Sequence, residues 1–140
     1  MPDSVPRALG VANHRVFSRI ELELAVRYRF LPTHPAVSVP GPEMLVGTTT
    51  NLSAGGLLLV AQLPAGTSFA DLLLGRLNVG VEIDLPQADG SAFTVRAICR
   101  VAWMQDVEEQ SGCCNLGLAF QEITLEHRDR VVDHVIRFSI

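Results

Sequence analysis

Asn78-Val79-Gly80-Val81-Glu82-Ile83-Asp84-Leu85, then Gln87-Ala88-Asp89-Gly90, then Ala92 to Met104: these residues carry the clearest signature of the architecture. In its first part Val79, Val81, Ile83 and Leu85 alternate with smaller or acidic residues. A period of two puts alternate side chains on opposite faces, which is the pattern of a half-buried strand. Asp89-Gly90 supplies the positive-φ residues of a tight turn. In the last part Phe93, Val95, Ala97, Cys99, Val101 and Trp103 share one face, and Arg96 and Arg100 lie on the other. Two long alternating runs joined by such a turn form an antiparallel hairpin.

The same reading extends to both sides. From Glu21 to Phe30, Leu22, Leu24, Val26, Tyr28 and Phe30 alternate with Glu21, Glu23, Arg27 and Arg29. Leu31 to Pro42 holds four prolines and reads as a loop or ragged edge. Met44 to Thr50 is rich in strand formers, and Leu57 to Ala61 is a continuous apolar strand ended by Pro64-Ala65-Gly66. Ser68 to Leu74 reads as a short helix capped by Ser68, with Phe69, Leu72 and Leu73 as its apolar stripe. Asp106 to Gly112 is a polar turn and Asn115 to Gln121 a last strand. Thr124 then caps a terminal helix carrying Val131, Val132, Val135 and Ile136, with Glu126 near its N-terminus. The expected class is mainly β: a six-stranded antiparallel barrel with a C-terminal helix and a short inserted helix. The expected organisation is a flexible arm over residues 1–14 and one domain over 15–140.

Composition narrows the function classes. A chain of 140 residues with 48% apolar and 19% charged residues is globular rather than disordered. No apolar run approaches ~18 residues, and Met1 to Gly10 lacks the apolar stretch of a signal peptide, so a cytoplasmic protein without membrane insertion is expected. A net charge of −4 argues against general nucleic-acid or membrane-surface binding. All eleven basic residues are Arg, so any anion site must use guanidinium forks. Cys99, Cys113 and Cys114 contain no C-x-x-C spacing and read as reduced thiols, one or two of them buried. His14, His34, His127 and His134 show no metal-binding spacing, and His127 and His134 read as a solvated pair on one helix face. Asp84, Asp106, Glu108 and His127 are the candidate acids and bases, but no two have catalytic spacing, so no catalytic residue and no enzyme activity are expected.

Two polar motifs stand out from this background. Arg15-Val16-Phe17-Ser18-Arg19 precedes the first strand, and Asn51-Leu52-Ser53-Ala54-Gly55-Gly56 joins the next two. Asn51 and Ser53 are two apart, so extended backbone turns both to one face, where an amide and a hydroxyl suit the edge of a purine. Gly55 and Gly56 permit a bulge or a positive-φ turn and let a flat base approach the backbone. Arginine clamps phosphate with two parallel bonds or pairs with guanine O6 and N7.

The order R-x-x-x-R, first strand, N-x-S-x-x-G resembles the PilZ family. The Val101-Ala102-Trp103 strand and Leu116-Gly117-Leu118-Ala119-Phe120 before a capped helix are similar too, so the likeness covers roughly residues 14–138. The resemblance implies a receptor for cyclic di-GMP, with no further cofactor, acting on an unidentified protein partner in motility, exopolysaccharide production or biofilm formation. Carried over residue by residue, Arg15 and Arg19 wrap the ligand, Asn51 and Ser53 read a guanine, and Gly56 holds the backbone shape. Gly55 is a further candidate. So is Trp103, which either meets a base or belongs to the core or barrel end. His14 stands where many members carry another Arg that favours a stacked ligand pair. Imidazole is cationic only below about pH 6.5, so His14 implies one ligand or a pH-sensitive second. The alternative is a PilZ-like adaptor that binds protein and no nucleotide. Leu72, Leu73, Leu74 and Leu77 either simply cap the barrel or form the contact surface that favours this alternative, for a partner or for a second copy in a homodimer.

Overall fold

The computed structural model describes residues 23–37, 44–106 and 112–138. Strands β1 (Leu24–Pro32), β2 (Leu45–Ser53) and β3 (Gly56–Gln62) are followed by helix α1 (Phe69–Leu73). Strands β4 (Leu77–Pro86), β5 (Ala92–Asp106) and β6 (Cys113–Glu122) lead into helix α2 (Leu125–Phe138). The strands close into an antiparallel barrel in the order β1-β2-β3-β6-β5-β4, with β4 pairing back onto β1. The hairpin expected from Asn78 to Met104 is β4 and β5, with Gly90 at φ 89° in its turn.

The alternating apolar residues fill the barrel. Val26, Tyr28, Leu59, Ile83, Val95 and Leu116 have no exposed surface. Tyr28 is the largest of the fully buried side chains, and its hydroxyl donates to the Gln62 carbonyl (2.7 Å) and accepts from the Gln62 N–H (2.9 Å). A buried hydroxyl with both partners satisfied avoids the cost of about 1–3 kcal/mol for an unpaired polar group. Cys99 and Cys114 are buried free thiols, and burial pushes Cys99 up to about 12 and Cys114 up to about 11, so both stay protonated.

The outer face of β1, β4 and β5 carries a charge ladder. Arg27, Glu82 and Arg96 are cross-strand neighbours. Arg27 Nε reaches Glu82 at 3.2 Å and its two Nη atoms reach Asp84 at 3.0 and 3.1 Å, while Arg96 Nε reaches Glu82 at 3.1 Å. The Arg27 guanidinium, aided by the Thr94 hydroxyl, lowers the Asp84 carboxyl to about 2. Arg96 therefore decorates and ties the sheet.

The helices close opposite ends. Helix α1 leads into the first residue of β4, whereas Arg130 and Arg137 of α2 bind Gln87 and the Pro86 carbonyl at its last. Ser68 caps α1 by accepting from Asp71 N–H. Of the expected stripe only Leu72 is buried: Phe69 and Leu73 are each 45% exposed and Leu74 64%. A helix of five residues has little more than one turn, so it presents one residue rather than a stripe to the core.

Helix α2 packs against β5, β2 and β4. Thr124 Oγ1 accepts the His127 N–H, as a cap should. The inward face differs from expectation: Val131 and His134 are buried, and Ile136 is 53% exposed. The two histidines are not a solvated pair. His127 Nδ1 accepts the Arg96 backbone N–H (2.9 Å), covering the β5 edge where β6 has already ended opposite Ile98. His134 stacks at a tilt on Phe138, with ring centroids 4.7 Å apart, and its Nδ1 has no hydrogen-bond partner among the described residues.

Burial, with Arg137 nearby, holds the His134 imidazole below its usual value. The unfolded chain binds a proton near pH 6.5 and the folded chain only at lower pH, so protonation favours unfolding. Stability should be full above about pH 6.5 and fall as pH drops below it. In urea titrations from pH 7.5 to 5, His134→Phe should lose less stability than wild type. Identical slopes would show that His134 does not carry this sensitivity.

Candidate ligand-binding cleft

Two bulges build the cleft. Thr48 pairs with Val60 and Asn51 with Leu58, so β2 spends three residues where β3 spends two. Thr49 points into the barrel, and strict alternation would carry Asn51 inward as well. The extra residue turns Asn51 out. The Thr49 hydroxyl bridges the irregularity, accepting the Asn51 N–H (3.2 Å) and donating to the Asn51 carbonyl (3.3 Å). The second bulge lies on β5, where Val101 pairs with Leu118 and Trp103 with Gly117. It corrects the sequence reading of one continuous face from Phe93 to Trp103. Val101 is buried, and Trp103 is turned out to 48% exposure instead of joining the core.

The outward residues line up. Asn51, Leu58, Gly117 and Trp103 form one row across β2, β3, β6 and β5. At about 4.8 Å per strand, the row spans roughly 14 Å along the curved sheet. A β-carbon at Gly117 would collide with the Trp103 indole, so the bare backbone of β6 there makes room for that ring. Gly56 shapes the backbone by close approach rather than by a bulge or a positive-φ turn. Neither Gly55 nor Gly56 has positive φ, and the bulge lies earlier, between Thr48 and Asn51. A β-carbon at Gly56 would strike the Leu118 carbonyl oxygen, so Gly56 permits the close approach of β3 to β6.

The turn between Asn51 and Gly56 is tied from two sides. Phe120 N–H donates to the Gly55 carbonyl (2.9 Å), and Arg128 of α2 donates to the Ala54 carbonyl (3.2 Å). Ser53 faces outward and donates to the Gly56 carbonyl (3.2 Å), which leaves its lone pairs available. The Asn51 carboxamide has no partner among the described residues. Asn51, Ser53, Gly55, Gly56 and Trp103 all border one cleft of about 260 Å³, floored by Leu58, Gly117 and Ala119. An amide, a hydroxyl and a half-exposed indole around a floor of Leu58, Gly117 and Ala119 suit a planar heterocycle, read at its edge and stacked on a ring.

His14, Arg15 and Arg19 lie outside the described residues. Sequence reasoning missed the floor residues, although the small-large alternation Gly117-Leu118-Ala119 signals a sheet face with little cover. A larger groove of about 600 Å³, bordered by Arg29, Met44, Gly80, Arg96 and Thr124, carries none of the motif residues. The candidate acids and bases are spread over the barrel. Asp84 is taken up by Arg27 and Thr94, Asp106 accepts from the Cys114 thiol (3.3 Å), and Glu108 lies outside the described residues. Among the described residues, no three His, Cys, Asp or Glu side chains are grouped to hold a metal.

Trp103 is the sole tryptophan, so its emission reports the cleft directly. Gly117→Ala should displace the indole, shifting its emission maximum to longer wavelength and costing about 1–3 kcal/mol of stability. An unchanged spectrum would mean that the ring does not rest on Gly117.

No curated protein matches this chain. Its fold is similar to the structure of the Bacillus subtilis inhibitor of motility (MotI/DgrA), with a TM-score of 0.58 at 20% identity. That likeness covers 84% of this chain and 47% of the other, so this chain spans about half the length of the protein it resembles. The sequence also matches the PilZ domain family over residues 14–137, a range that takes in all six strands, the cleft and nearly all of helix α2. The chain belongs to the PilZ domain family.

Proposed function

We propose that this protein is a receptor for cyclic di-GMP rather than an enzyme. The observation that carries the reading is convergence: two bulges turn Asn51 and Trp103 onto one outer face, where Ser53 joins them in a single cleft. Membership of the PilZ family supports the identity of the ligand. Asn51 and Ser53 read a guanine edge, and a base stacks on Trp103. Arg15 and Arg19, from the arm that precedes the barrel, clamp phosphates and guanines. A charge-assisted hydrogen bond contributes roughly 1.5–3 kcal/mol, and a micromolar site needs about 8 kcal/mol, so these groups suffice once the cost of ordering the arm is met.

The output follows from order in the arm. Ligand draws the arm onto the cleft and changes the surface shown to a downstream protein. The name of the Bacillus subtilis protein, inhibitor of motility, supports motility as one such output. Among the described residues no helix is long and apolar enough to cross a membrane, and a cytoplasmic site of action fits a second-messenger receptor. The exposed Phe69, Leu73 and Leu74 favour a second reading, an adaptor that meets its partner through α1 with or without nucleotide.

Calorimetric titration of the full chain with cyclic di-GMP, with cyclic di-AMP and GTP as controls, tests the reading. Selective binding at micromolar affinity or better is expected, with Arg15→Ala, Arg19→Ala and Ser53→Ala each weakening it at least tenfold. Stoichiometry then decides between one ligand and a pair beside His14. If all three variants bind as wild type, the site assignment is wrong. Silence in calorimetry and in an NMR titration would leave the adaptor reading.

A further inference from the structure

The row Asn51–Leu58–Gly117–Trp103 has a neighbour on the same outer face. Ser53 pairs with Gly56, Gly56 with Ala119, and Ala119 with Arg100. The two rows cross the same four strands side by side. One edge of the platform carries Asn51 and Ser53, and the other carries Trp103 and Arg100. The floor between the corners of this second row is only Gly56 and Ala119, both of which border the cleft. Nothing in it shields an arginine at the far corner from a bound molecule.

Arg100 is also free to act there. Among the described residues Arg27, Arg76, Arg96, Arg128, Arg130 and Arg137 each hold a hydrogen bond or an ion pair, and Arg29, which holds none, borders the larger groove away from these two rows. Arg100 is exposed and holds none among the described residues. The register shifts between Ile98 and Cys99 and between Val101 and Trp103 fall on either side of it. Arg96, four residues back on the same strand, lies beyond the first shift and is bound to Glu82 on the opposite flank of β5.

Resting on the receptor reading, we infer that Arg100 is the fourth corner of the ligand site. Its guanidinium takes a pair of acceptor atoms on the half of the ligand that stacks on Trp103. A phosphate and the O6/N7 edge of guanine both present such a pair. The cleft is then a site with a polar anchor at each end, and β5 contributes a charge as well as a ring.

The test is titration of the full-length protein with cyclic di-GMP for wild type, Arg100→Ala, Arg100→Lys and Arg96→Ala, with a melting curve for each. Arg100→Ala should weaken binding about tenfold or more at an unchanged melting temperature, while Arg96→Ala should bind as wild type. Partial recovery by Arg100→Lys with a wild-type salt dependence identifies phosphate, which accepts a point charge. No recovery identifies the guanine edge, which needs the planar fork. Arg100→Ala binding as wild type while Arg15→Ala and Ser53→Ala lose affinity overturns the inference and leaves the receptor reading standing. Equal losses in Arg100→Ala and Arg96→Ala overturn it too, because the effect would then be one of general charge. A wild-type protein that binds no cyclic di-GMP removes the receptor reading and this inference together.

Discussion

A six-stranded barrel has one inside, and it is only wide enough for side chains. The rest of this structure depends on filling that space. Every inward position must be apolar or fully paired, which is why Val26, Leu59, Ile83, Val95 and Leu116 recur at a period of two and why the hydroxyl of Tyr28 is satisfied twice by Gln62. The open ends would expose this core. Leu72 from α1 blocks one and Val131 from α2 the other. His134 is drawn into the same packing without a partner for Nδ1 among the described residues, and burial holds its imidazole below the usual value.

The candidate site arises where that rule is broken. One extra residue in a strand moves the following side chains to the other face. On β2 it exposes Asn51, and on β5 it exposes Trp103. Each bulge interrupts the ladder, and at β2 the buried Thr49 hydroxyl satisfies the disturbed backbone. Because both bulges open outward on strands separated only by β3 and β6, the displaced side chains stand at the two ends of one row, with Leu58 and Gly117 between them. The candidate site is built from side chains that the bulges turn away from the core.

Charge is divided in a similar way. With no lysine in the chain, every cationic contact is a guanidinium. Arg27 and Arg96 bind acidic neighbours on the sheet, and Arg130 and Arg137 anchor α2 to the end of β4. Arg128 links α2 to the turn that carries the N-x-S-x-x-G motif. One hydrogen bond thus ties that turn to the helix that closes the barrel.

Strands, their inward residues, the Asp89-Gly90 turn and the Ser68 and Thr124 caps were legible in the sequence, because alternation, turn chemistry and capping are local and repeat within a few residues. The pairing of the arginine motif with N-x-S-x-x-G was legible as a resemblance for the same reason, as short strings at set positions. Register was not legible. A bulge is fixed by how two strands distant in the chain pair, so the run from Phe93 to Trp103 read as one face although its last member belongs to the other. Helix faces failed likewise: α2 turns His134 inward because the barrel end sets its orientation, whatever its valines prefer. Which residues build a barrel is written in the local pattern of the chain. Which of them meet on its outer surface is set by strand pairing, because that depends on counting residues across strands rather than along them.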